Sequence, residues 1–254
     1  MLGHTVAAFL AESGREVVTV SERFSAGSPI RFTDKIAALE PDWCVNCIGL
    51  APREGIDAEK LTEANTALPE ALSRGLPAGC GLIHASTDGV FSPSKPDRQF
   101  DEPADATDNY GLSKRGAEDA LNRPNDFIVR CSIIGPDPQG QSRNLLSWFL
   151  NAEGSVDGYS NHQWNGITTL QWARIANDIL AGRHAASPRP LQPAIQPAIS
   201  KGDLLRLIAE IWESPTVVNS TEAASAIART LAPNIETPPL SRQLRELKDW
   251  SLRI

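Results

Sequence analysis

Short apolar runs alternate with amphipathic stretches between Thr5 and Cys131, and this alternation restricts the fold more than any other property of the chain. Thr5–Glu12 reads as a helix, Glu16–Ser21 as a strand, Thr33–Leu39 as a short helix and Asp42–Ile48 as a strand. Ala58–Leu72 then reads as a helix, Gly81–Ser86 as a strand, Asn109–Leu121 as a helix and Phe127–Cys131 as a strand. Strands alternating with helices predict an α/β fold with a parallel sheet and right-handed crossovers. From about Gly135 the character shifts to helices at Leu145–Asn151, Leu170–Ala181 and Lys201–Trp212, separated by short Pro-rich or irregular pieces. Ser187–Pro197 carries four prolines and reads as a connector with at most a short edge strand. The Leu-rich, charged stretch Glu236–Ile254 suggests a terminal helix.

The chemistry-bearing residues fall at the ends of two of these elements. His84-Ala85-Ser86-Thr87-Asp88-Gly89-Val90-Phe91 closes a strand, and Asn109-Tyr110-Gly111-Leu112-Ser113-Lys114 opens a helix. Tyr110 and Lys114 are four residues apart, so a helix projects both from one face. A phenol with its ordinary pKa near 10 is a poor acid–base group at neutral pH unless a nearby cation favours its phenolate. Thr87 stands at the carboxyl end of its strand, where open α/β sheets bind ligands, and its hydroxyl can hydrogen-bond a carbonyl oxygen. Hydroxyl, phenol and ammonium together suit proton transfer to or from a carbonyl beside a nicotinamide. Tyr-x-x-x-Lys alone equally describes an exposed helix pair. The strand before it favours the catalytic reading, as does the apolar run Phe127–Ile134 with its small-residue turn one crossover later.

On these segments the chain resembles the extended short-chain dehydrogenase/reductase superfamily, in particular its dTDP-4-dehydrorhamnose reductase-like branch of sugar-nucleotide reductases. Further similar stretches are Pro41-Asp42-Trp43-Cys44-Val45-Asn46-Cys47-Ile48-Gly49, Arg130-Cys131-Ser132-Ile133-Ile134-Gly135, Trp164-Asn165-Gly166 and Ser200-Lys201-Gly202-Asp203-Leu204-Leu205. The resemblance runs from Leu2 to about Ala209. It implies a Rossmann-like, doubly wound parallel sheet over residues 1–135 and a small, mostly helical substrate lobe over 136–254. It also implies reduction of a nucleotide-linked 4-keto sugar by NADPH, with NADH as the alternative, in cell-surface polysaccharide or deoxysugar synthesis.

The resemblance implies roles residue by residue. Tyr110 would deliver the proton to the sugar oxygen, Lys114 would hold the nicotinamide ribose and favour the phenolate, and Thr87 would orient the carbonyl. Leu2, Gly3, Arg23, Cys47, Ile48, Gly49, Cys131 and Ile133 would join Tyr110 and Lys114 in binding the cofactor. Thr87, Asp88, Gly89, Trp164 and Asn165 would face the substrate. Asn65 matches a recurrent helix Asn that supports the active-site backbone or a relay water. The better-known rhamnose enzymes of the branch tend to carry Tyr where this chain has Gly89, so dTDP-rhamnose specificity does not follow. Trp164 reads equally well as a buried anchor of the lobe. The resemblance also allows a homodimer.

The start of the chain departs from that pattern. In the superfamily a first strand runs into a Gly-x-x-Gly-x-x-Gly turn whose backbone approaches the pyrophosphate. Met1-Leu2-Gly3-His4-Thr5 is similar only to the tail of that turn, with Gly3 in the third glycine's place, so the first strand is absent. Met1 is the single methionine. The expectation is a natural polypeptide that begins a strand's length upstream; the alternative is a paralogue that no longer holds a dinucleotide. Arg23, after the second expected strand, suits a 2′-phosphate, whereas Glu22 suits a free 2′-hydroxyl, and a solvated charged turn explains the pair as well.

Composition narrows the function classes. With 254 residues, 41% of them apolar, the chain can bury one large α/β core or a core plus a small lobe. A net charge of −7 argues against a nucleic-acid partner. No apolar run approaches the roughly 20 residues of a spanning helix, and the N-terminus lacks a signal peptide's plan, so the expected setting is cytoplasmic, without a membrane partner. Cys44 and Cys47 form a Cys-x-x-Cys match inside an apolar strand, and no second Cys or His pair follows at ligand spacing, so no metal is expected. His84 and His162 are each isolated and read as packed or solvated. Two alternatives to a reductase remain: an epimerase or dehydratase of the same superfamily, and an inactive binding subunit.

Overall fold

In the computed structural model, which describes residues 1–138, 144–185 and 190–253, the chain opens with helices α1 (Leu2–Glu12) and α2 (Pro29–Ala37). Strand β1 (Trp43–Asn46) leads to α3 (Ala58–Thr62), which continues through a π-helical turn at Glu63–Ala67 into α4 (Leu68–Gly75). Strand β2 (Gly81–Ser86), helix α5 (Asn109–Ala120) and strand β3 (Asp126–Arg130) complete the alternating half. The sheet is parallel in the order β1-β2-β3, with Trp43 opposite Gly81, Asn46 opposite His84 and Ser86 opposite Arg130.

Burial on both faces explains why these strands are nearly continuous apolar runs. Ile83, Phe127 and Val129 point to one face, where Leu2, Val6 and Leu10 of α1 cover them. Leu82 and Ile128 point to the other, beneath Phe32 and Ile36 of α2 and Leu68 and Leu72 of α4. The sheet is therefore wound on both sides, as expected.

The expected strand Glu16–Ser21 does not form. Val17 packs on the first core cluster, while Val18 and Val20 are 61% and 39% exposed and Thr19 between them is exposed too, so the stretch has no buried face and is irregular. A strand exists through the ladder it makes with a neighbour, and none of the described strands pairs with these residues. Strand β1 forms an edge of the sheet.

The remaining chain builds a second body of packing. After β4 (Ile133–Ile134) come α6 (Leu145–Leu150), β5 (Ser155–Tyr159), β6 (Gln163–Trp164), β7 (Ile167–Thr168) and α7 (Thr169–Leu180). Then β8 (Ile199–Ser200) leads into α8 (Lys201–Trp212), followed by β9 (Val217–Thr221) and α9 (Leu240–Ser251). Three two-stranded pairs, β4-β7, β5-β9 and β6-β8, tie the pieces together. The terminal helix expected near Glu236–Ile254 is α9: Leu244, Leu247 and Trp250 pack with Leu204 and Ile208 of α8. Trp250 Nε1 also donates to Glu12 Oε2 at 2.7 Å. Trp172, Ala173 and Ala176 of α7 turn the other way and join α1 against the sheet. Part of the connector Ser187–Pro197 (187–189) lies outside the described residues, as does Ile254; within the rest, Leu191 bridges β3 at Val129.

Among the described residues no helix is long and apolar enough to cross a membrane. No group of three or more His, Cys, Asp or Glu among them stands ready to hold a metal.

Gly81 shows how tightly β1 and β2 are matched. A Cβ there would lie 2.3 Å from the Trp43 ring, which is held against Phe127 with ring centroids 5.7 Å apart. Gly81→Ala should therefore cost about 1–3 kcal/mol, read as a lower urea midpoint at unchanged m-value.

Candidate active site

At the carboxyl end of β2 the chain leaves the sheet through Thr87, which is extended, and enters one 3₁₀ turn, Asp88–Val90. Thr87 Oγ1 accepts from the Gly89 amide at 3.0 Å and donates to Asp88 Oδ1 at 3.1 Å. Tyr110 lies in the first turn of α5, which Asp108 caps by accepting from the Gly111 amide at 2.9 Å. The Tyr110 phenol stands beside the Thr87 hydroxyl, near enough for that hydroxyl to influence its titration. Burial pushes the phenol above its ordinary value, with the Thr87 hydroxyl opposing. Gly89 makes room for the ring: a Cβ there would sit 2.8 Å from Tyr110 Cε1. Gly111 is equally constrained, since its Cβ would fall 2.5 Å from the Gly89 carbonyl oxygen.

One turn along α5, Lys114 is buried and its Nζ donates to the Ala85 carbonyl at 2.7 Å. Burial lowers its pKa from 10.5 to about 8, with Glu118 as the leading opposing influence. The expected hydroxyl, phenol and ammonium thus meet where β2 ends and α5 begins.

Polar groups beneath this face are nearly all committed. Asn46 Oδ1 accepts from the Ile48 amide at 3.0 Å, and its Nδ2 lies 3.0 Å from His84 Nδ1. His84 is fully buried, and burial first and Lys114 second hold it well below its ordinary pKa, so it is neutral. Asn65, in the π-helical turn, accepts from the Leu50 amide at 2.8 Å and donates to the Leu50 carbonyl at 2.9 Å and to Ser113 Oγ at 3.0 Å. It joins the loop after β1 to α5, which is the supporting position expected of it.

The residues expected to hold a dinucleotide divide into two groups. Gly3, at the start of α1, abuts the loop after β1: its Cβ would be 3.3 Å from Cys47 Cβ. Among the described residues no side chain caps the first-turn amides of α1, groups of the kind that meet anions at helix N-termini. Leu2 is buried under them in the first core cluster. Gly49 lies close to the ammonium, with a would-be Cβ 3.6 Å from Lys114 Nζ, and Ile48 beside it is exposed. Cys131 is buried at the end of β3, and Ile133 belongs to β4. Burial pushes the Cys44 and Cys47 thiols up to about 12 and raises Cys131 as well, so none is a ready thiolate. Arg23 is exposed, and no hydrogen bond or ion pair joins it to this group. Glu22 is paired with Lys35. The uncapped amides, the two small residues and the buried ammonium fit a dinucleotide's phosphate and ribose; the Arg23 turn is not tied to them.

In the second body of packing, Trp164 is buried and its ring lies beneath Lys201, with Nζ 5.2 Å from the centroid. Asn165 spends its amide on the Leu231 backbone, donating to the carbonyl at 2.7 Å and accepting from the amide at 3.1 Å. Two further residues given no role on sequence grounds reach the site. Arg229 Nε lies 3.9 Å from Asp88 Oδ2, and burial lowers the Lys201 pKa to about 8, with Asp88 opposing. Lys201 belongs to the quoted Ser200–Leu205 stretch, while Arg229 sits in an irregular segment and only the fold brings it to Asp88.

Native Lys114 gives up its proton near pH 8, whereas an unfolded lysine keeps it to about 10.5. Between these limits the unfolded chain binds the additional proton, so this group makes stability rise with pH. Lys114→Met should flatten the rise in unfolding free energy between pH 8 and pH 10, measured by urea unfolding. An unchanged slope would contradict burial of the free ammonium.

No protein-family model matches the sequence, and no curated protein matches it. Solved structures do. The dTDP-4-dehydrorhamnose reductase of Clostridium acetobutylicum superposes with a TM-score of 0.79 at 17% identity, covering 100% of this chain and 96% of that one. The dTDP-4-dehydrorhamnose reductase of Bacillus anthracis, in complex with NADP, gives 0.81 at 14% identity, covering 98% and 95%. The dTDP-glucose 4,6-dehydratase of Bacillus anthracis, in complex with NAD, gives 0.71 at 11% identity, covering 100% and 94%. Likeness at this level of identity speaks for architecture: the chain has the Rossmann-like α/β fold of these sugar-nucleotide enzymes.

Proposed function

We propose that the chain is an NAD(P)H-dependent reductase of a nucleotide-linked 4-keto sugar. The observation that carries this reading is the placement of Tyr110 beside Thr87 at the carboxyl end of β2, both against Gly89, with the buried Lys114 ammonium one turn along the same helix. A bound reduced nicotinamide would supply the hydride. Thr87 would orient the carbonyl oxygen, and Tyr110 would transfer its phenolic proton to that oxygen as the carbon is reduced. Lys114 would stabilise the phenolate left behind until water returns the proton. Burial keeps the Tyr110 phenol protonated at neutral pH, the form a proton donor needs.

The rest of the assignment follows from position. The α1 amides and Gly3 would meet the pyrophosphate, Gly49 and Lys114 the nicotinamide ribose, and Cys131 and Ile133 the nicotinamide's surroundings. Residues from 136 onward would form the substrate lobe, with Trp164, Lys201 and Arg229 facing the sugar nucleotide beside Asp88 and Gly89. Lys201 and Arg229 against the single Asp88 leave one net positive charge, which suits a phosphate-bearing substrate. NADPH, like the NADP named with the Bacillus anthracis reductase, is the preferred donor. Four free thiols suit a reducing compartment, and we place the reaction in the cytoplasm. An epimerase or dehydratase draws support from Asp88 as a carboxylate beside Thr87.

Purified protein mixed with a nucleoside-diphosphate 4-keto sugar should oxidise NADPH, followed by the loss of nicotinamide absorbance. Tyr110→Phe should lower kcat by about 10²–10⁴-fold with folding nearly intact; full activity in that variant would reject the assignment. Lys201→Met and Arg229→Gln should each raise KM for the nucleotide sugar about tenfold, the scale of a lost charge-assisted hydrogen bond, with a smaller effect on kcat. No tryptophan fluorescence response to NADPH or NADH would favour an inactive binding subunit.

A further inference from the structure

Helix α5 carries a third buried functional group below Tyr110 and Lys114. Glu118 follows Lys114 at the spacing at which Lys114 follows Tyr110, so all three line one face of the helix. Its side chain is 8% exposed and that of Arg130 is 5% exposed. One carboxylate oxygen accepts from Ser86 Oγ and, at 3.0 Å, from Arg130 Nε. The other accepts from Arg130 Nη2 at 2.6 Å. Ser86 is the last residue of β2 and directly precedes Thr87. Arg130 ends β3, donates from Nη1 to Gln192 Oε1 at 2.8 Å, and lies over the Phe91 ring. A single carboxylate therefore joins the helix of Tyr110 and Lys114 to the strand of Thr87 and, through Arg130, to Phe91 and Gln192.

The same carboxylate stands alone in sign around Lys114. Facing the ammonium from the other elements are Cys47 after β1, His84 on β2 and Cys131 after β3. Burial keeps the two thiols protonated and His84 neutral, so Glu118 is the group among them that carries negative charge. None of the roles assigned to Tyr110, Lys114 or Thr87 uses it.

We propose that Glu118 is the positioning residue of the catalytic face: it clamps the Ser86–Thr87 strand end to α5 and sets its carboxylate toward the Lys114 ammonium. The clamp fixes the hydroxyl against the phenol. The charge opposes the tendency of a buried lysine to shed its proton. The kinetic part of this proposal rests on the reductase reading; the charge part does not.

Lysine labelled with carbon-13 gives six side-chain signals in this chain, and Lys114→Met assigns the one of interest. Glu118→Gln leaves the Arg130 charge uncompensated in the core, so Glu118→Gln/Arg130→Gln is measured beside it. In the folded variants the Lys114 titration midpoint should fall by about one pH unit, the low end of what one opposite charge supplies. Glu118→Asp, which retains the charge, should restore most of it. A midpoint unchanged in the folded double variant overturns the charge half, as does failure of both neutral variants to fold, which would leave Glu118 a purely structural role. Ser86→Ala removes the clamp without touching a charge; it should lower kcat about tenfold with KM and the Lys114 midpoint in place. Unaltered kcat there overturns the clamp. Absence of reductase activity in the parent protein would reject the proposed function while the lysine titration still decides the charge.

Discussion

An ammonium taken out of water must recover several kcal/mol from acceptors and opposite charge, and the carboxyl edge of this sheet is arranged around one such group. Lys114 reaches up from α5 to the Ala85 carbonyl on β2, the strand that leads into Thr87. The loop after β1 passes over it at Gly49, where a Cβ would touch the ammonium and crowd Asn65 Oδ1, and Asn65 pins that loop to α5 through Leu50 and Ser113. His84 and two protonated thiols complete its surroundings without adding charge, leaving Glu118 to oppose its burial. Tyr110 and Thr87 are placed as a consequence, because they belong to the two elements that Lys114 joins.

That arrangement depends in turn on a sheet covered on both faces. Helices α2 and α4 pack on Leu82 and Ile128, while α1 and α7 pack on Ile83, Phe127 and Val129. Helix α7 comes from the later part of the chain, so the sheet that leads into Thr87 is partly held by residues that follow β4 to β7. A second core around Leu204, Leu244 and Leu247 includes Trp164, whose ring carries Lys201 over its face.

How much of this is legible in sequence depends on where the determining contacts lie. Strand β2 and helix α5 are readable because their signals are local: an apolar run bounded by a turn, and Tyr110 and Lys114 at helical spacing. Glu16–Ser21 has equally good local signals, yet it is irregular, because a strand also needs a partner's backbone and none of the described strands offers one. Strand β9 shows the reverse: Val217–Thr221 is largely exposed and polar, but pairs in parallel with β5 along its length. Gly89 looks like a weakness when compared with enzymes that carry Tyr there; in the fold it is the space the Tyr110 ring occupies.

By itself, the sequence determined the α/β alternation, the Thr87, Tyr110 and Lys114 set and the helix that carries two of them. Each of these is written in periodicity and spacing within a few residues. The tertiary structure alone decided that Asn165 binds the Leu231 backbone, that Arg229 and Lys201 converge on Asp88, and that Glu118 clamps Ser86. Those outcomes join residues far apart in the chain, and electrostatic and hydrogen-bond partners at that range are chosen by packing, which no local pattern encodes.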